Sequence, residues 1–314
     1  MTALAFLWEH WFFLAFLAPF FWALTNLIDV YFVGDVYRDS SDGFIISSLF
    51  QISAWIFAPF FLQDFSWPVG HLVFLSLLSG SIFMLSFHFY FKALFAQNDV
   101  ALVQILWTLS VPLVSILSWM VLGERLALSQ YIGITLSFVG AAILSSGGEV
   151  HRAAFRVVGR IMAGAIIALS VSIVLQKYVF DASPSSAFWG IYLLFSLGAT
   201  LPGIWIWTRS RNPRIVPLCR KFGGVFFVVE SLAFLGYLSS SRTISLAPSA
   251  SFVAVIESLV PAFVMLLSFL CIFLLAPFRS GHALSRELYI QQIERFPLKI
   301  FSIGIIAVGI YLIA

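Results

Sequence analysis

Three carboxylic acids stand inside long apolar stretches of this 314-residue chain: Asp29, Glu230 and Glu257. An ionisable residue at the centre of a membrane-spanning helix costs about 2.5–3.5 kcal/mol on insertion scales, which makes each a candidate for binding or proton transfer. Glu257 has the most suggestive setting. Pro261 follows four residues later, and a proline has no N–H to give to the carbonyl four residues back, which is that of Glu257 itself. A carboxylate and an unpaired carbonyl then coincide, which suits a cation or a proton. Ahead of Pro112 the corresponding position is Thr108, with Trp107 beside it and Gln104 one turn earlier. The alternative for Glu257 is a protonated acid that hydrogen-bonds two helices together.

Glu230 has Tyr237 two turns further on, on the same helical face; its alternative is also helix packing. Asp29 belongs to a stripe with Asn26 and Trp22 at i−3 and i−7, and Ser172 with Gln176 forms a comparable stripe later in the chain. Two such stripes suit the lining of a cavity, against the alternative of an interfacial Asp in water. Tyr90 and His88 are further candidates to face a pore, His88 because imidazole titrates near neutrality. Lys92 and Lys177, near the ends of apolar stretches, read as snorkelling anchors. Glu124 and Arg125 form a local ion pair or a gate.

The elements that carry these residues are helices in a bilayer. The composition is 61% hydrophobic and 10% charged, with mean hydropathy +1.03, whereas soluble domains run at about 45–50% and about 25%. That excludes a soluble globular domain, a disordered chain and a disulfide scaffold. Cys219 and Cys271 are too few and too far apart for a disulfide or metal framework. Ten apolar runs separate on charged and turn residues: 11–33, 44–62, 71–91, 100–122, 129–146, 159–180, 187–208, 223–241, 250–274 and 300–314. The last is short and spans marginally or extends back to Pro297. The opening stretch lacks a basic segment and a small-residue cleavage site, so it reads as the first span. Helices are expected because lipid offers the backbone no partner, and the runs lack the alternation of a β-barrel. The interruptions 147–158, 209–222 and 275–299 read as loops. Within the last, Leu288, Ile290, Ile293 and Phe296 mix with charges as in an interfacial amphipathic helix, or as in a solvated loop.

Residues 1–150 and 151–314 resemble one another weakly. Asp29–Val33 matches Gln176–Phe180, Ala58-Pro59 matches Leu201-Pro202, and Leu109–Pro112 matches Ser258–Pro261; Gly133 and Gly140 resemble Gly304 and Gly309. Five runs per half is an odd number, so two like halves enter the membrane in opposite directions. Such inverted repeats build alternating-access transporters with a site near the midplane. Fourteen of the seventeen Lys and Arg fall after odd-numbered runs, the others being Arg125, Lys177 and Arg242. By the positive-inside rule both termini lie outside.

The segment Tyr90-Phe91-Lys92-Ala93-Leu94, then Pro112, Leu122-Gly123-Glu124-Arg125 and Gln130-Tyr131-Ile132-Gly133 with Gly140, resembles the EamA family of the drug/metabolite transporter superfamily. The match is strongest over 88–146. The second half departs from it, with Leu275-Ala276-Pro277-Phe278 where a second Leu-Gly-Glu would fall. The resemblance implies ten transmembrane helices in two five-helix repeats. It also implies secondary transport of a small metabolite, amino-acid-like, nucleoside-like or drug-like. Relatives of that kind keep their termini in the cytoplasm, opposite to the basic-residue count.

The expectation is therefore an all-α, multi-pass transporter of a bacterial inner membrane, with a small molecule, the bilayer and protons as partners. A cofactor, a metal and nucleic acid are not expected. No Gly-x-x-x-x-Gly-Lys loop is present for an ATPase, and His10, His71, His88, His151 and His282 are too scattered for an intramembrane metalloenzyme. The competing reading is a non-transporting scaffold or sensor on a transporter fold.

Overall fold

The computed structural model describes residues 8–57, 65–97, 103, 106–145, 152–275 and 296–313. All its regular elements are helical. They are α1 (Trp11–Ala15), α2 (Leu17–Tyr31), α3 (Ser40–Phe50), α4 (Ser53–Phe57), α5 (His71–Gln97), α6 (Ser110–Leu122), α7 (Leu128–Ser145), α8 (Arg152–Asp181), α9 (Phe188–Ser210), α10 (Ile215–Leu246), α11 (Ala250–Glu257), α12 (Val260–Leu275) and α13 (Phe296–Ile313). Seven helical stretches are long and apolar enough to cross a membrane, and Ser110–Leu122 and Leu128–Ile143 are shorter apolar helices. The chain is thus a multi-pass helical membrane protein. Large apolar side chains such as Trp119, Trp205, Phe227, Phe301 and Tyr311 stay exposed on the outer surface, where lipid, not water, is their natural solvent.

Local sequence explains three helix ends. Asp39 caps α3 by accepting from Ser41 N at 2.7 Å, and Ser249 caps α11 by accepting from Ser251 N at 3.1 Å. Gly123, at φ +67°, ends α6 in the left-handed conformation that glycine adopts without strain. After α2 the chain widens into one π-helical turn, Phe32–Val36, closed by Tyr37 N donating to Phe32 O at 2.8 Å.

Two expected loops are largely helical. Residues 152–158 belong to α8 and 215–222 to α10. The basic residues there misled, because a helix that extends past the bilayer accepts charge on its wet turns. Only a short turn at Arg211–Arg214 divides α9 from α10, opened by Arg211 at φ 47°. The last helix does begin near Pro297, at Phe296. The amphipathic stretch up to 295, and Ala58-Pro59, lie outside the described residues.

The helices pair across the halves. α8 lies along α5, and α10 lies along α1 and α2; α8 also meets α6, and α12 meets α2. α7 packs on α13, α3 on α9, and α6 on α11. Small residues set the closest approaches, as in membrane helix pairs generally. A Cβ on Gly133 would meet Gly309 O at 2.6 Å, and one on Gly140 would meet Ser302 O at 2.9 Å, whereas Gly304 faces open space. Gly80 lies against the Phe195 carbonyl and Gly198 against that of Leu77, so α5 and α9 touch backbone to backbone. Pro202 leaves the Gly198 carbonyl without its helical donor, and Ser81 Oγ supplies one at 2.8 Å.

Candidate functional site

Where the halves meet, α2, α3, α5, α8, α10, α11 and the segment around Thr108 enclose a cavity of about 90 Å³. Trp22, Asn26, Asp29, Tyr90, Trp107, Thr108, Glu230, Tyr237 and Glu257, all candidates from sequence, line it. Gln104 lies outside the described residues.

Two interrupted helices contribute Thr108, Ser110, Glu257 and Ser258 to its lining. Leu106 and Trp107 are helical, Thr108 and Leu109 form a turn, and α6 resumes at Ser110. Likewise α11 ends at Glu257, Ser258 and Leu259 turn, and α12 resumes at Val260. Pro112 is the third residue of α6 and Pro261 the second of α12, and each lacks the N–H that would continue the ladder. The turns tighten instead: Val111 N donates to Thr108 O at 3.1 Å, and Leu259 N to Ile256 O at 3.0 Å. The expectation drawn from Pro261 thus has a visible geometry, with Glu257 at the break and facing the cavity.

Each glutamate holds one hydroxyl. Ser240 Oγ donates to Glu257 Oε1 at 2.5 Å, and Ser47 Oγ, from α3, donates to Glu230 Oε1 at 2.7 Å. The Asp29 carboxylate, on α2, accepts no hydrogen bond from the described residues. Tyr90 OH reaches toward Asn26 Oδ1 at 3.4 Å. The apolar walls are aromatic. Tyr237 meets Trp22 at 5.9 Å, Phe83 at 5.1 Å and Phe87 at 5.9 Å, and Trp107 meets Phe87 at 6.0 Å and Tyr90 at 5.3 Å, between ring centroids. Gly236 makes room for the Trp22 indole, since a Cβ there would stand 2.6 Å from Nε1. No Lys, Arg or His is among the lining residues.

Gln176 is the exception among the described candidates. With Ser172 it lines a smaller neighbouring cavity that shares Trp22, Tyr237 and Glu257 with the first, and its Nε2 donates to Ser241 Oγ at 3.1 Å. One residue on, Lys177 does not snorkel. It is 5% exposed and donates at 2.7 Å to both Asp181 Oδ1 and Ala247 O, which ties α8 to the end of α10. Lys92, by contrast, is exposed. His88 does not reach the cavity; its ring packs edge-on against Phe44 at 5.0 Å. Glu124 pairs not with Arg125 but with Ser249 and the first amide of α11.

Sequence reading missed Ser47, Ser240 and Phe87. Serines in apolar runs give no distinguishing signal, because some bond only their own helix, as Ser76 and Ser115 do here.

Fold and cavity together define a multi-pass helical membrane protein with a buried, acidic, aromatic-walled chamber between its halves. No family model matches the sequence, and no curated protein matches it. One solved structure, described only as the crystal structure of a protein, is similar over 95% of this chain and 96% of the other, with TM-score 0.66 and 16% identity. At that identity the likeness is one of fold.

Proposed function

We propose that the chain is a secondary active transporter of the EamA kind, moving a small metabolite across a membrane by alternating access. In this reading ten spans form two inverted five-helix repeats, 1–150 and 151–314. The observation that carries it is the pair of interrupted helices, with Thr108 and Glu257 at equivalent breaks facing one cavity. Helices broken at a central cavity are how transporters place polar backbone and side chains at a substrate.

The packing pattern supports the repeat. If each run is exchanged for the one five places away, α8 on α5 becomes α1–α2 on α10, and α8 on α6 becomes α2 on α12. The contacts of α3 with α9, α6 with α11 and α7 with α13 map onto themselves. The contact of α5 with α9 breaks the pattern, because its counterpart between α3 and α10 is slight.

In a transport cycle the halves rock about the cavity, exposing it to one side at a time. Glu257 and Glu230 are the candidates to exchange a proton for substrate. Asp29, Tyr90 and Tyr237 are the other titratable groups lining that cavity. The test is counterflow in proteoliposomes, with substrates chosen by thermal shift against a metabolite library. A ligand at 100 times its Kd stabilises a protein by about 2.7 kcal/mol. Saturable counterflow of a hit supports the reading; binding without flux favours a sensor.

A further inference from the structure

We propose that the cavity binds an organic cation, an amine or quaternary ammonium carried on an apolar or aromatic body. This inference names a substrate class for the site proposed above and rests on that reading. Among the described residues, three carboxylates line the chamber and no basic side chain does. The ion pairs among the described residues, Lys177–Asp181 and Arg214–Asp42, involve none of the three. Buried carboxylates left unpaired are costly, so their charge is met by protons or by a positive ligand.

The walls favour an organic cation over a bare metal ion. Among the described residues no three His, Cys, Asp or Glu side chains gather as a metal-holding group. Trp22, Tyr90, Trp107 and Tyr237 instead line the same chamber as the acids, and ring faces attract ammonium groups within about 6 Å. Acceptors and hydroxyls are also left over for a ligand. Tyr237 is 5% exposed and Ser110 7% exposed, both line the cavity, and neither side chain hydrogen-bonds to a described residue. An anionic or zwitterionic ligand would bring a carboxylate or phosphate into a chamber whose described lining holds no cation to receive it.

Purified full-length protein, titrated by tryptophan fluorescence, discriminates the classes with a matched series: 2-phenylethylamine, 2-phenylethanol and 3-phenylpropionate, with phenyltrimethylammonium as a second cation. The same compounds are then followed for counterflow in proteoliposomes. We expect at least one cation to bind about tenfold or more tighter than the alcohol and the acid. Asp29→Asn and Glu230→Gln, where folded, should narrow that gap. The inference is overturned if the alcohol or the acid binds as well as the cations, or if neither cation binds. Flux of a non-cationic metabolite with no cation binding overturns the substrate class and leaves the transporter reading intact. Selective cation binding with no flux of any compound does the opposite.

Discussion

The Ser249 hydroxyl donates to Glu124 Oε2 at 2.5 Å, and the Ala250 amide donates to Oε1 at 3.1 Å. A carboxylate just past the end of α6 thereby caps α11, the helix that ends in Glu257. A negative charge at a helix N-terminus satisfies free amides and complements the helix dipole. Glu124→Ala should lower stability by about 1–2 kcal/mol, read as a lower Tm in detergent. Glu124→Gln, which keeps an acceptor, should lose less. An unaltered Tm for Glu124→Ala would show that the cap contributes nothing.

Glu257→Gln tests proton coupling. Uptake driven by a pH gradient should fall by about tenfold, the size of a 1.4 kcal/mol change, while counterflow at equal pH persists. Thr108→Val, at the equivalent break, should alter substrate affinity without abolishing coupling. Full gradient-driven uptake in Glu257→Gln would sink the antiport idea.

Pro261→Ala restores an amide that can donate to Glu257 O. If the break is a device of transport, the variant should match or exceed wild type in thermal stability yet move substrate more slowly. Faster or unchanged flux would mean that the interruption is only tolerated.

Ser47 and Glu230 sit on different helices, so their hydrogen bond joins α3 to α10. A double-mutant cycle with Ser47→Ala and Glu230→Gln should give a coupling of about 1 kcal/mol in unfolding free energy. Strict additivity would mean that the bond carries no stability.

Gly133→Val should destabilise by about 1–3 kcal/mol through overpacking against Gly309. Gly304→Ala meets nothing within 4 Å and should leave Tm unchanged or slightly raised. Equal effects of the two would contradict the α7–α13 interface.

Run length and charge were enough to define the helical membrane class, and nine of the eleven residues singled out from the sequence line the cavity. The bilayer enforces those features locally: a run must be long and apolar, an acid inside it is exceptional, and a proline withholds one amide from its own helix wherever that helix packs. Asp29, Glu230 and Glu257 stood out for that reason. Only the tertiary structure decided that the three face one chamber, that Ser47 and Ser240 hold the glutamates, that Gln176 turns to Ser241, that Lys177 ties α8 to α10, and that Glu124 reaches α11. Each of these is a contact between distant runs, and apolar runs are nearly interchangeable in composition. What selects the partner is the fit of small residues and ring faces across helices, which leaves little mark on the order of residues along any one of them.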